Sequence, residues 1–219
     1  MIELIQRLDQ DLCLAVAEDW MWETETDPEE EACVTRAVEK RKREFRAGRH
    51  TAHKALKALG HSDVLVMVGD QRQPLWPKDV IGSITHTAGF CACVVATTGE
   101  LLSVGIDVEP LTPVDTASLP LICTRKELQT IDKLQCQTPI PLCKLVFSAK
   151  ECVHKVYHPL NGHTLDFLDA EIQLDIDNNS FTAIINNPEK NPAVAIKTLK
   201  GYFDSDNQFI YTVIAKTKD

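Results

Sequence analysis

Asp107 and Glu109 alternate with Ile106 and Val108 in the stretch Gly105-Ile106-Asp107-Val108-Glu109-Pro110. In an extended strand both carboxylates leave one face while the aliphatic side chains bury on the other, so two acids share one spot. About forty residues on, Phe147-Ser148-Ala149-Lys150-Glu151-Cys152-Val153-His154-Lys155 has helical spacing that sets Phe147, Glu151 and Lys155 along one stripe. A third acid and a cation can thus reach the same place. Three convergent carboxylates and a lysine suit a hard divalent cation beside a phosphate, because Mg²⁺ takes oxygen ligands and shares them with substrate phosphates.

A second charged group lies nearer the N-terminus. Arg36, Lys40, Arg41, Lys42, Arg43, Arg46, Arg49, Lys54 and Lys57 face only Glu39 and Glu44. Two readings stand: a solvated helix face balanced by the acidic run Glu23, Glu25, Asp27, Glu29, Glu30, Glu31, or a phosphate-steering patch. The chain as a whole is acidic, with a net charge of -9, which argues against a general nucleic-acid binder.

At 219 residues, 44% hydrophobic and 25% charged, the chain can bury a core in one large domain or two small ones. Its eight cysteines show no zinc-ribbon spacing, and most lie in apolar runs, so they read as reduced, buried thiols. Cys91 and Cys93, one residue apart on an expected strand, belong to core packing rather than to a redox or metal pair. The N-terminus lacks a basic region followed by an apolar one, and no segment is apolar for long enough to span a bilayer. A cytoplasmic location is expected, in keeping with reduced thiols.

The elements that must position these residues follow from periodicity and punctuation. A strand is expected at 12–17, then a helix opening at Asp27-Pro28 and running, with a possible break at Gly48, to Leu59-Gly60. Strand patterns follow at 64–68, 80–85, 91–97 and 103–109. A Pro-rich passage from Leu111 through Leu121, in which Asp115 is the one charged residue, interrupts the pattern. Helical patterns resume at 125–134 and 142–157, stopping before Pro159, and strands at 168–175, 181–185, 193–202 and 209–215. The second half thus repeats the helix-then-strands order of the first. The expectation is an α+β protein of two similar subdomains, 1–110 and 111–219, with the acidic site between them.

Four separated pieces together resemble a known family. They are Arg41 through Phe45 to Gly48-Arg49; Arg72-Gln73-Pro74-Leu75-Trp76-Pro77 leading to Gly82-Ser83-Ile84-Thr85-His86-Thr87; Gly105 to Glu109; and Phe147 to Lys155. In order and spacing they resemble the 4′-phosphopantetheinyl transferases of the surfactin-synthetase-activating type, most like the group serving enterobactin-like siderophore synthetases. The resemblance implies a pseudo-twofold pair of α/β subdomains in one monomeric chain, with coenzyme A in the cleft between them. It implies transfer of the phosphopantetheine arm to a serine of an apo carrier protein, with release of adenosine 3′,5′-bisphosphate. Carrier domains of peptide, polyketide or fatty-acid synthases would be the partners.

By the same resemblance, Asp107, Glu109 and Glu151 hold Mg²⁺ on the pyrophosphate. Glu151 also takes the serine proton, directly or through a water, and Lys155 contacts the phosphates. Thr85 and His86 bind the 3′-phosphate with help from Arg49, while Arg41 and Arg72 complete the nucleotide pocket. Two positions depart from the family pattern: Phe147 stands where tryptophan is usual, and Thr85 where serine often precedes the histidine. Phenylalanine keeps the apolar wall without the indole donor and threonine keeps its hydroxyl, so altered affinity is expected rather than lost activity. The passage from Leu111 to Ile122 is a candidate for carrier docking or a plain linker. Two other functions use the same residues: a divalent-metal phosphohydrolase, including a zinc variant drawing on His154 and His158, or a non-catalytic coenzyme A or carrier-binding module.

Overall fold

In the computed structural model, which describes residues 1–8, 11–186 and 192–218, the chain divides into two units, Asp9–Leu101 and Met1–Leu8 with Leu102–Asp219. The short α1 (Ile2–Gln6) belongs to the second and packs on its sheet. Both units combine a long helix with antiparallel strands, the α+β architecture expected.

The first unit holds β1 (Cys13–Val16), α2 (Trp20–Glu23), α3 (Pro28–Ala32), α4 (Glu39–Ala58), the short pair β2 (Met67–Val68) and β3 (Pro74–Leu75), and then β4 (Val80–Thr87) and β5 (Phe90–Thr97). Its sheet runs β1-β5-β4, all antiparallel, and sets Thr85 opposite Ala92 and His86 opposite Cys91. Phe45, Gly48, Arg49, Ala52, Ala55 and Leu56 recur at helical spacing and form the buried face of α4. Cys91 and Cys93 are buried on β5, and all eight cysteines are free thiols.

The helix expected from Asp27 onward is two helices. Asp27 caps α3 through Glu29 N–H (2.9 Å), as the sequence indicated, but α3 ends at Ala32. Just beyond it Thr35 Oγ1 donates to the carbonyls of Glu31 (3.4 Å) and Ala32 (3.2 Å), and Val34 and Thr35 are β-branched, so the backbone turns and restarts at Glu39. Gly48 causes no break. It lies within α4, where a Cβ would touch Ile84 Cγ2 at 3.4 Å.

The second unit contains β6 (Leu101–Pro110), α5 (Leu119–Ile122), α6 (Arg125–Leu134), α7 (Leu142–Asn161), β7 (Ala170–Asp175), β8 (Ser180–Ile185), β9 (Thr198–Ser205) and β10 (Phe209–Thr217). Its sheet order is β6-β10-β9-β8-β7. The division therefore falls ahead of β6 rather than after Pro110, because β6 hydrogen-bonds to β10. Leu142, Leu145, Val146, Ala149, Val153 and Val156 of α7 pack into one core with the sheet residues Ile172, Phe181, Phe203 and Ile214.

Helix α7 passes through Pro159 and ends at Asn161, four residues beyond the expected stop at Tyr157. Proline there removes one N–H near the end of the helix, and the left-handed Gly162 (φ 71) closes it by donating to the His158 carbonyl at 2.8 Å. Strand β9 begins at Thr198, so the expected stretch from 193 is extended chain only in its later part.

Candidate active site

Lys144, Ser148, Glu151 and Lys155 recur at steps of four, three and four along α7, which keeps them on one face of the helix. That face meets Asp107 and Glu109 of β6. Lys155 Nζ donates to Asp107 Oδ1 (2.8 Å) and to the Ile106 carbonyl (2.9 Å), Ser148 Oγ donates to Asp107 Oδ2 (2.8 Å), and Lys144 Nζ donates to Glu109 Oε2 (3.2 Å). Thr212 Oγ1 lies 2.9 Å from Ser148 Oγ and carries the network into β10.

The close approach depends on Gly105. A Cβ there would stand 2.5 Å from the Cys152 carbonyl oxygen and 2.9 Å from Val156 Cγ2, and Cys152 Sγ donates back to the Gly105 carbonyl at 2.8 Å. Gly105→Ala must push α7 away from β6, a strain of about 1–3 kcal/mol. A lowered urea midpoint with a matching loss of turnover is expected; a midpoint equal to wild type would mean that the helix moves freely.

Charge in this cluster is unbalanced. Three carboxylates meet two ammonium groups, and burial followed by the charge of Asp107 holds both Glu109 and Glu151 above the usual carboxylate range. Burial alone would push Lys155 down, but Asp107 more than offsets it and the ammonium is held above its ordinary value. Hard oxygen donors under mutual repulsion fit a divalent cation by chemistry. Among the described residues, however, no three histidine, cysteine, aspartate or glutamate side chains are gathered as a metal set. Asp107 and Glu109 are instead each tied to a lysine.

Lys150, on the other side of α7, does structural work that the motif alone did not reveal. Its Nζ donates to Glu127 Oε2 and to the carbonyls of Ile122 and Phe167, each at 2.8 Å, and both members of the ion pair are 1% exposed. Glu127 also accepts from Thr124 N–H (2.6 Å) and Ile172 N–H (2.7 Å), so one carboxylate joins α6, α7 and β7. Phe147 packs on Phe167, ring centroids 5.4 Å apart, and the Lys144 ammonium lies 5.5 Å from its ring centre. His154 and His158 stack at 5.6 Å.

The basic pocket lies wholly within the first unit. It encloses about 480 Å³, and Arg41, Arg49, Arg72 and His86 line it together with Phe45 and Glu44. Arg41 Nη1 donates to His86 Nε2 (3.1 Å), which leaves the imidazole proton on Nδ1, facing Glu44 Oε2 at 3.9 Å. Arg49 is 6% exposed, and its guanidinium stacks over Phe45 at 4.4 Å. Thr85 is not in the lining. Neighbouring strand positions point to opposite faces, so Ile84 and His86 line the pocket while buried Thr85 accompanies neither.

Most of the surrounding cations are spoken for. Arg43 pairs with Glu23, Arg46 with Glu25 and Glu31, Lys42 with Glu39, and Lys54 with Glu18. The basic island is thus partly balanced by neighbouring acids, and of its cations Arg41 and Arg49 line the pocket.

A model of the 4′-phosphopantetheinyl transferase N-terminal domain matches residues 29–96, and that of the 4′-phosphopantetheinyl transferase superfamily matches residues 103–213. The chain belongs to this superfamily. The transferase is 39% identical over 176 residues to 4′-phosphopantetheinyl transferase Svp of Streptomyces mobaraensis, covering 80% of this chain and 71% of Svp. It is 31% identical over 192 residues to PptT of Mycobacterium tuberculosis (85% and 84%). It is 38% identical over 123 residues to enterobactin synthase component D of Salmonella typhi, spanning 55% of this chain and half of that protein. The enzyme is a 4′-phosphopantetheinyl transferase, and the substrate of its family is coenzyme A. No helix among the described residues is long and apolar enough to cross a membrane.

Proposed function

We propose that this transferase moves 4′-phosphopantetheine from coenzyme A to a serine of an apo carrier protein, with Mg²⁺, in nonribosomal peptide or siderophore assembly. The observation that carries the chemistry is the stripe Lys144, Ser148, Glu151 and Lys155 of α7 meeting Asp107 and Glu109 of β6. Asp107, Glu109 and Glu151 would hold Mg²⁺, which when bound neutralises charge on the pyrophosphate oxygens. The serine Oγ bonds to the β-phosphorus as the bond to the bridging oxygen breaks, and adenosine 3′,5′-bisphosphate leaves. Glu151, half-buried and with its proton affinity raised, accepts the serine proton directly or through a water. Lys155, anchored on Asp107, sets a positive charge beside the reacting phosphates.

Arg41, Arg49, Arg72 and His86 bind the 3′-phosphorylated nucleotide in the 480 Å³ pocket. His86→Ala should raise the KM for coenzyme A about tenfold with a smaller change in kcat, the mark of lost ground-state binding. Equal wild-type kinetics with coenzyme A and 3′-dephospho-coenzyme A would remove that role. Carrier docking is assigned to the apolar residues around α5, where Leu121 is 70% exposed, with Leu168 also exposed. The enzyme is proposed to act as a cytoplasmic monomer.

The deciding experiment incubates the protein with coenzyme A, Mg²⁺ and an apo peptidyl carrier protein and weighs the carrier by intact mass spectrometry. A gain of one phosphopantetheine, lost with chelator and with a serine-to-alanine carrier, is expected. Nucleotide cleavage without carrier modification would turn the assignment to a metal-dependent phosphohydrolase.

A further inference from the structure

Arg49 combines two features that conflict unless another residue resolves them. It lines the basic pocket, yet it is 6% exposed and its Nε has no hydrogen-bond partner among the described residues. A buried cation with an unfilled donor is costly without a nearby opposite charge. The sequence around it supplies one. Glu30 of α3 is fully buried; its Oε1 accepts from Val66 N–H (2.7 Å) and from His53 Nε2 (2.8 Å), and its Oε2 has no partner among the described residues. His53 stands four residues after Arg49 on α4, so the two project from the same face of the helix toward α3. Burial pushes the Arg49 guanidinium down, and Glu30 is the largest influence pulling it back up. Nothing in Glu30's surroundings gives it access to a substrate, so its charge acts through its neighbours.

We propose that Glu30 is a positioning residue for the nucleotide pocket: fixed by His53 and Val66, its carboxylate balances the buried Arg49 guanidinium and keeps it stacked on Phe45, ready for a phosphate monoester. The inference rests on the reading of Arg49 as a phosphate-binding residue. Its reach is specific. Glu30 itself touches no ligand, and its removal should weaken recognition of the 3′-phosphate while leaving the α7 stripe and β6 as they are.

The test compares Glu30→Gln, Arg49→Ala and the double variant by steady-state kinetics with coenzyme A and with 3′-dephospho-coenzyme A, using an apo peptidyl carrier protein, with a thermal melt of each. Glu30→Gln is expected to raise the KM for coenzyme A about tenfold, to leave kcat within about twofold, and to change the KM for the dephospho form little. In the Arg49→Ala background the same substitution should add nothing, an outcome that a purely structural role would not produce. A raised KM in Arg49→Ala beside a wild-type KM in Glu30→Gln overturns this inference alone. An equal Glu30→Gln effect in both backgrounds does the same. A wild-type KM in Arg49→Ala overturns the phosphate reading of the pocket and this inference with it. Should the glutamine variant not fold, Glu30→Asp, which keeps the charge but withdraws it by one methylene, is read in the same way.

Discussion

Glu151→Gln should lower kcat by roughly two to four orders of magnitude, the range of a lost general base, while its thermal midpoint stays near that of wild type. The substitution keeps the size of the side chain and leaves the helix intact: Leu145, Ala149, Val153 and Val156, which anchor α7, lie away from it. Asp107→Ala should be as inactive but less innocent structurally. Asp107 is 4% exposed and accepts from both Lys155 and Ser148, so its removal takes the carboxylate acceptor from a half-buried ammonium and a buried hydroxyl. The pair of variants separates chemistry from support. A folded Glu151→Gln enzyme turning over at close to the wild-type rate in the carrier mass assay would end the assignment of the site.

The largest effect on stability is expected one residue earlier. Lys150→Met would leave Glu127 buried at 1% exposure with no cation, and would strip the Ile122 and Phe167 carbonyls of their shared donor. Breaking a buried ion pair from one side costs about 3–5 kcal/mol, a large part of a domain's total stability. Urea denaturation should show a markedly lower midpoint. An unchanged midpoint in Lys150→Met would show that the pair is not what joins α6, α7 and the loop before β7. Activity alone would not distinguish the two substitutions, whereas their denaturation curves should differ sharply.

These neighbours show how far a motif can be read. The alternation of Asp107 with Val108 and Glu109 and the helical spacing of Glu151 and Lys155 were legible, because strand and helix periods act on adjacent residues. The same period contained Lys144 and Ser148, and extending the stripe by one turn would have found them. Lys150 was not legible in this way. Its role depends on Glu127, whose capping of α6 at Thr124 gives a local signal but whose bond to Ile172 spans 45 positions in the chain. The resemblance set Thr85 beside His86 at the 3′-phosphate, but adjacent strand side chains point to opposite faces and Thr85 is not in the pocket lining. The basic island looked like a patch because sequence shows charge without partners; Arg43 and Arg46 find theirs in the preceding acidic run, and Lys54 finds its partner in Glu18 before it.

By itself the sequence determined the local elements and their chemistry: an acid-bearing strand, an acid- and lysine-bearing helix, a capped α3 start and an α+β alternation of helices and strands. Each follows from short-range backbone sterics, side-chain period or capping. Tertiary structure alone decided which side chains share a charge environment. It moved β6 into the sheet of the second unit, brought that strand against α7 through the missing Cβ of Gly105, and set buried Glu30 against His53 and Val66. Those outcomes depend on long-range pairing, where the cost of burying a charge is met by a partner that no window of sequence contains.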